Sequence, residues 1–323
     1  MKSRFEIIDI IRGTSILAVI LIHTSYYFIS NPIAAFLWKW SQFAVPAFVF
    51  CSAYLFFQKP KTISFIYLKS RLIRLVKPYY IFLLFFLPML LLINPDKLNF
   101  KYIFESIILI GGVDINWLVL LFVYFMILFP LTQLIYKKHK SLFIAYFLIS
   151  IASSILFIFY KLPFTYKYIL WLPWSVIPLF TLFFVKNENK KYFIIITTIL
   201  TGLIFVFSFY FQLITHRSTG FIENKYPPNF YFLAYGVFSI SIIYLLSKQI
   251  IKNNFATRIL TFFSVYSYPI YFIHYVILIA LAKYIKVINF NWATFFLIVL
   301  LSTVVIQIGI NHIHKKYYKN ISI

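Results

Sequence analysis

Residues 9–28 read DIIRGTSILAVILIHTSYYF, an apolar run with ionisable residues at its start and near its end. A run of about 20 mostly apolar residues is long enough to cross a bilayer as one helix. Ionisable side chains in such a helix are costly and therefore mark candidate functional sites. In a helix, Arg12 and His23 are three turns or about 16 Å apart, and Asp9 lies one turn before Arg12. The three side chains share one stripe, which we expect to face a cavity inside the protein.

A plainer interpretation of the stripe is that Asp9 and Arg12 pair at the membrane surface and His23 bonds a neighbouring helix. His274 lies about fifteen residues into a later span that runs in the same direction, so helical rise predicts a similar depth for His274 and His23. Two histidines at one depth predict a shared cavity, with separate helix-packing roles as the alternative. Asp9 is too far along the helix to orient His23, so any orienting partner must come from another helix.

The composition predicts an all-α, polytopic membrane bundle. Of the 323 residues, 63% are hydrophobic, and apolar runs recur without the alternation of a β-barrel. We expect residues 1–323 to form a single transmembrane domain with no soluble domain. Cys51 is the only cysteine, which excludes an intrachain disulfide and argues against a metal site. About ten spans are predicted, at residues 7–28, 37–57, 79–94, 118–136, 141–160, 173–186, 192–211, 230–247, 259–281 and 292–311.

The net charge of +23 would suggest a nucleic-acid partner in a soluble protein. Here the basic residues are about twice as numerous in the segments that would be cytoplasmic as in those outside. This bias predicts that both termini are cytoplasmic and that the charge faces anionic membrane lipid rather than nucleic acid.

Two further sets of residues are candidates for binding. Arg71 and Arg74 lie one helical turn apart in a basic juxtamembrane loop, and paired guanidinium groups suit phosphates. An anchor to lipid head groups is the alternative for that pair. On the outer side, the segment 223–229 begins with Glu223, and Trp117 lies near the same mouth, where aromatic rings stack on sugars or anchor the membrane interface.

Several motifs together resemble the acyltransferase-3 family of integral membrane acyltransferases over nearly the whole chain. Ala53 stands where the family usually has glycine, and we expect no appended hydrolase-like domain. The loop 225–228 and the small size are similar to the branch linked to surface polysaccharides and the intercellular adhesin. The motifs are Arg4–Gly13 with His23, Val45–Ala53, Arg71 with Arg74, Trp117 with Tyr124 and Pro130, and Ser267–His274.

The resemblance implies an O-acyltransferase in the bacterial cytoplasmic membrane. It implies acyl-CoA, with an acetyl or succinyl group, as the donor on the cytoplasmic side, and no permanently bound cofactor. The acceptor would be a hydroxyl of a cell-surface polysaccharide or glycolipid, and the polysaccharide-synthesis machinery is a possible partner. The implied roles are catalytic for His23, Asp9 and Arg12, CoA-binding for Arg71 and Arg74, and acceptor-binding for His274, Glu223, Trp117 and Tyr124.

Two points stay open in the sequence. His23 could act as a base on the acceptor hydroxyl or carry the acyl group itself. The competing function is a polysaccharide or glycolipid exporter without acyl transfer. The Arg71–Arg74 pair argues against an exporter, because a sugar translocator needs no cytoplasmic phosphate clamp.

Overall fold

The computed structural model describes residues 2–160 and 166–319 of the chain. The secondary structure of these residues is helical without a β-strand, which confirms the predicted all-α bundle. Within the same two ranges, nine helices are long and apolar enough to cross a membrane, and one bent pair of helices would add a tenth crossing. The helices are α1 (Lys2–Ser25), α2 (Pro32–Trp40), α3 (Ala44–Gln58), α4 (Phe65–Ile93), α5 (Phe100–Ile107), α6 (Asn116–Lys138), α7 (Lys140–Phe159), α8 (Tyr166–Ile169), α9 (Trp171–Trp174), α10 (Val176–Asn187), α11 (Phe193–Ile214), α12 (Phe230–Ile250), α13 (Asn254–Val265), α14 (Ser267–Ala282), α15 (Ile285–Ile288) and α16 (Trp292–Lys319).

Four predicted spans differ from the helices observed. The second, at residues 37–57, runs across the break between α2 and α3, and the sixth, at residues 173–186, runs across the break between α9 and α10. α4 begins at Phe65, well before the predicted start at residue 79, so the basic stretch expected as a loop is helical. Lysine, arginine and leucine are good helix formers, and an apolar-run criterion misses a helix that continues through them. The predicted ninth span is two helices, α13 and α14, which meet at Tyr266 with a bend of 79°.

The chain divides into two compact units. Unit 1 comprises Met1–Ala44, Ile81–Leu98 and Ile251–Ile323, and unit 2 comprises Val45–Tyr80 and Asn99–Ile250. The histidine of the opening stretch therefore belongs to unit 1, whereas the basic pair of α4 belongs to unit 2.

Unit 1 is organised around α1, which packs against α13, α14 and α16. Ile8, Ile11 and Ile16 of α1 are fully buried, because the apolar face of the helix is covered by its neighbours. At Gly13 the backbones of α1 and α13 approach so closely that a methyl group would overlap the carbonyl oxygen of Leu260. A glycine is therefore required at this crossing.

Unit 2 has an aromatic core in which α11 packs along α12. Its buried interior also contains a carboxylate, Glu188, which follows the end of α10 and is 8% exposed. The hydroxyl groups of Tyr54 and Tyr244 each donate to Glu188 at 2.9 Å, and Gln58 Nε2 donates at 3.0 Å. Because a buried carboxylate is tolerated only when it is hydrogen-bonded, these bonds hold α3, α10 and α12 to one another.

Candidate active site

The three residues of the predicted stripe all lie on α1, and each is half-buried. Asp9 is oriented by another helix: Ser264 Oγ of α13 donates to its carboxylate at 2.7 Å. Asp9 lies about 21 Å along the helix axis from His23, which agrees with the prediction that Asp9 does not orient the histidine. Arg12 lies one turn after Asp9, on the same face of α1.

The structure brings His23 of α1 and His274 of α14 into direct contact. His23 Nδ1 and His274 Nε2 are 2.8 Å apart, and the two rings are nearly coplanar, at an angle of 11°. A separation of 2.8 Å is shorter than the roughly 3.5 Å between stacked carbon atoms, so this is an in-plane hydrogen bond rather than a ring stack. The two histidines thus meet, as their similar predicted depth implied, whereas a functional cavity shared by them stays a prediction.

The bond pattern assigns the hydrogens of the two rings. His274 is fully buried, which makes its charged form costly, and its Nδ1 lies 2.9 Å from the Ile270 carbonyl oxygen. A carbonyl oxygen only accepts, so His274 Nδ1 carries the hydrogen, and His274 Nε2 accepts from His23 Nδ1. In the neutral His23 ring the remaining nitrogen, Nε2, then carries the lone pair. His274 therefore holds His23 in the tautomer whose Nε2 is basic.

Aromatic side chains surround the histidine pair. Tyr275 of α14 meets His23 edge-on, with the ring centroids 6.0 Å apart. The ring of Phe82 on α4 stacks on Phe272 at 5.1 Å, and Phe86 packs on Tyr275 at 5.6 Å. This packing fixes the rotation of α14, because turning the helix would move His274 and both aromatic contacts together. A fixed ring is the geometry that a positioned base requires.

His274 does not lie on one continuous helix that rises from Ile259, as its predicted depth required. The chain bends at Tyr266, and His274 lies on the second helix, α14. The two histidines still meet because both α13 and α14 pack against α1. The bend directs α13 toward Asp9 and α14 toward His23.

Arg71 and Arg74 lie one turn apart on α4, within unit 2. Arg74 is exposed, and Arg71 is half-buried, with its guanidinium 5.7 Å from the ring centroid of Tyr67. The basic pair is therefore displayed on a regular helix rather than on the predicted loop. A helix holds the two guanidinium groups at a defined spacing, as binding of two phosphate groups would require.

Unit 2 also contains a cavity of about 300 Å³, lined by Asp114, Trp117, Lys167 and Tyr226 with the loop 111–113. The rings of Trp117 and Tyr226 are perpendicular, with centroids 5.1 Å apart. Asp114 and Trp117 thus line the same cavity.

The other residues assigned to acceptor binding have different positions. Tyr124 is half-buried on α6, and its hydroxyl donates to the backbone oxygen of Lys167 at 3.4 Å. Glu223 is exposed, and its carboxylate lies close to Gly220. Tyr124 thus contacts the backbone of one residue of the cavity lining, whereas Glu223 lies at the surface. Their roles in binding stay predictions.

Sequence reasoning missed one buried cation, Lys225, in the loop that precedes α12. Its side chain is 6% exposed, and its Nζ lies 5.4 Å from the Trp117 ring centroid and 5.3 Å from that of Tyr226. Burial lowers the pKa of Lys225 to about 7, because desolvation disfavours the ammonium form. Composition cannot reveal this, since lysines are usually exposed and the burial depends on long-range loop packing.

The described part of the chain contains no group of three or more His, Cys, Asp or Glu side chains arranged to hold a metal ion. One family model, for an acyltransferase domain, matches residues 5–312. No curated protein and no solved structure matches the chain. The matched range contains the histidine pair, the basic pair of α4 and the cavity of unit 2.

Proposed function

The chain belongs to the acyltransferase-3 family and is a multi-pass membrane acyltransferase. From this membership we propose that it transfers an acetyl or succinyl group from cytoplasmic acyl-CoA to a hydroxyl of a surface polysaccharide or glycolipid. The single observation that carries the proposal is the bond between His23 and His274, which presents a basic nitrogen within a helical bundle. An acyl transfer to a hydroxyl needs such a base, because a neutral hydroxyl is a weak nucleophile.

In the proposed reaction, His23 Nε2 accepts the proton of the acceptor hydroxyl while the hydroxyl oxygen attacks the thioester carbonyl carbon. The new C–O bond forms, the C–S bond breaks, and the CoA thiolate takes the proton from His23. His274 supports the charged imidazolium through its bond to His23 Nδ1. Each proton and electron pair is thereby accounted for without a metal.

A variant of this chemistry uses His23 Nε2 as the nucleophile, with the acyl group carried on the ring before the hydroxyl attacks. The same tautomer serves both routes, because both need the lone pair on Nε2. A rapid burst of CoA release without acceptor would identify the carrier route, and its absence would identify the base route.

The remaining predicted residues receive supporting roles in the proposal. Arg71 and Arg74 would bind the phosphates of the CoA donor by paired charge-assisted hydrogen bonds. Asp9, through Ser264, would keep α1 in place against α13, and Arg12 would line the entry of the donor. A cell membrane of a bacterium is the proposed location, with the glycan acceptor outside and the donor inside.

The test is mass spectrometry of surface glycans from cells that carry the wild type, His23→Ala, His139→Ala or no protein. His139 is an exposed histidine between α6 and α7, so its variant controls for loss of a histidine elsewhere. We expect an ester mass only with the wild type and His139→Ala, on a glycan exported in all four strains. Normal acylation with a well-expressed His23→Ala would contradict the catalytic role. Loss of the glycan itself without a missing ester would favour an exporter.

A further inference from the structure

The outer cavity of unit 2 is built on a loop whose shape is held before any ligand arrives. Gly112, in this loop, has φ +68°, and a side chain there would overlap Ser106 Oγ and the Tyr102 carbonyl oxygen. Ser106 Oγ accepts from the Val113 backbone N–H at 3.2 Å, and Tyr79 donates to the Ser106 carbonyl oxygen at 2.6 Å. The rim of the cavity is therefore preorganised, which lowers the entropic cost of binding.

One wall of the cavity is aromatic and rigid. Trp117 is wedged between Tyr226, which is perpendicular to it, and the fully buried Trp174, at a centroid distance of 6.1 Å. The ammonium group of Lys225 lies against the rings of both Trp117 and Tyr226. These contacts hold the two rings in fixed positions, so the wall offers a firm apolar surface beside the polar groups of the cavity.

The polar groups of the cavity are one cation and one anion. Lys167 Nζ donates to the Ile110 carbonyl oxygen at 2.6 Å, and Asp114 and Glu105 attract its charge. Asp114 is exposed on the lining, where its carboxylate is positioned to accept hydrogen bonds. An anionic ligand would be repelled by Asp114, and the attraction of Lys167 for it would be offset by the nearby Glu105 and Asp114 carboxylates. The lining thus favours an uncharged ligand that carries several hydroxyl groups.

The size of the cavity restricts the ligand further. A volume of about 300 Å³ is at the small end of the range for ligand sites, which suits a single ring rather than several. A saccharide ring combines a size of this order, an apolar C–H face and a rim of hydroxyl groups. The size matches the cavity volume, the C–H face matches the aromatic wall, and the hydroxyl groups match Asp114 as an acceptor.

We propose that this cavity binds one uncharged saccharide residue, with Asp114 accepting hydrogen bonds from its hydroxyl groups and Tyr226 packing against its ring. The inference rests on the proposed function, because the bound saccharide would be the acceptor of the acyl group. In this proposal Asp114 determines specificity, since its charge repels acidic sugars.

The test is direct binding of three trisaccharides to the purified protein without acyl-CoA, followed by tryptophan fluorescence or calorimetry. Maltotriose and chitotriose are the uncharged probes, and trigalacturonate is the anionic probe. We expect saturable binding of at least one uncharged probe, weaker binding of trigalacturonate, and about a tenfold rise in Kd with Asp114→Asn. Asp96→Asn is the matched control, because Asp96 is an exposed acid in the turn Pro95–Lys97.

The outcomes separate this proposal from the proposed function. Binding of no uncharged probe, or an equal Kd for wild type and Asp114→Asn, would overturn the saccharide site. Tighter binding of inorganic phosphate or of vesicles of anionic phospholipid would overturn it in favour of a phosphate ligand. If the same preparation transfers acyl groups to its glycan while the uncharged probes do not bind, the saccharide site falls and the acyltransferase stands. Saccharide binding in a protein that transfers no acyl group would give the reverse result.

Discussion

Lys225 provides a test of the packing at the outer face of unit 2, because the folded state holds its side chain out of water. The unfolded chain keeps the lysine protonated up to a pKa of 10.5, whereas the folded protein loses this proton at a pKa of about 7. Between these two values, unfolding takes up a proton. The free energy of unfolding therefore rises with pH, by at most about 1.4 kcal/mol per pH unit for one group.

The expected magnitude follows from the two pKa values. Between pH 7 and pH 9 the free-energy cost of burying Lys225 falls by about 2 kcal/mol. The stability gained in this way is lost again as the pH falls toward 7. Lys225→Met keeps an unbranched side chain against the rings of Trp117 and Tyr226 but has no charge to bury. We expect the variant to melt a few degrees above the wild type near pH 7, with a gap that narrows as the pH rises.

The assay is the melting temperature of both proteins in detergent at several pH values, read by tryptophan fluorescence. The difference in melting temperature between the wild type and the variant at each pH removes the contribution of every other titrating group. Lys101→Met is the control, because the Lys101 side chain is 83% exposed and carries no burial cost. The reasoning would be refuted if the melting temperatures of wild type and Lys225→Met changed in parallel with pH. It would also be refuted if the advantage of the variant over the wild type were smaller at pH 7 than at pH 9.

Three further substitutions test the two units. Gly13→Ala should force α1 from the Leu260 carbonyl, at a cost of about 1–3 kcal/mol, and should lower both the melting temperature and acyl transfer. Glu188→Ala should remove the carboxylate that accepts from two tyrosyl hydroxyls of unit 2, at about 1–3 kcal/mol, measured as a lower melting temperature. Replacing Arg71 and Arg74 together by alanine should raise the KM for acyl-CoA about tenfold or more while the KM for the acceptor stays unchanged.

Each of these substitutions has a matched control within the chain. Gly309→Ala adds a methyl group where no atom lies within 4 Å, so a similar loss there would contradict the close approach at Gly13. Glu188→Gln keeps an acceptor for the tyrosines and should be milder than Glu188→Ala. Lys69→Ala with Lys77→Ala removes two exposed charges from the same helix as the arginines. An equal rise in the KM for acyl-CoA in that control would show that the positive charge of the helix, rather than the arginine pair itself, binds the donor.

The sequence predicted the spans well because length and hydropathy determine which segments cross a membrane. It also placed any orienting partner of His23 on another helix, and His274 of α14 lies within hydrogen-bond distance of His23. The bend at Tyr266 was missed, although Pro269 lies in the first turn of α14, where proline is tolerated and often marks a helix start. The apolar run continues across Tyr266, so hydrophobicity alone predicted one helix despite the proline.

The outer cavity was only partly predictable. Of its lining residues, Trp117 was predicted to lie near a mouth, where aromatic rings stack on sugars or anchor the membrane interface. Lys167 and Tyr226 come from distant loops, and their approach to Trp117 depends on packing that a single sequence does not display. The hydrogen-bonded state of Glu188 was missed for the same reason, since its donors lie on α3 and α12.

The bond from His274 to Ile270 has a consequence for energy coupling. Because the chain of bonds from His23 through His274 ends on a backbone carbonyl oxygen, which does not ionise at physiological pH, it stores a proton but does not conduct one. A proton taken up by His23 therefore does not pass onward through His274. We expect acyl transfer to draw nothing from a transmembrane proton gradient through this pair. With donor and acceptor supplied to sealed vesicles, a protonophore should leave the turnover rate unchanged.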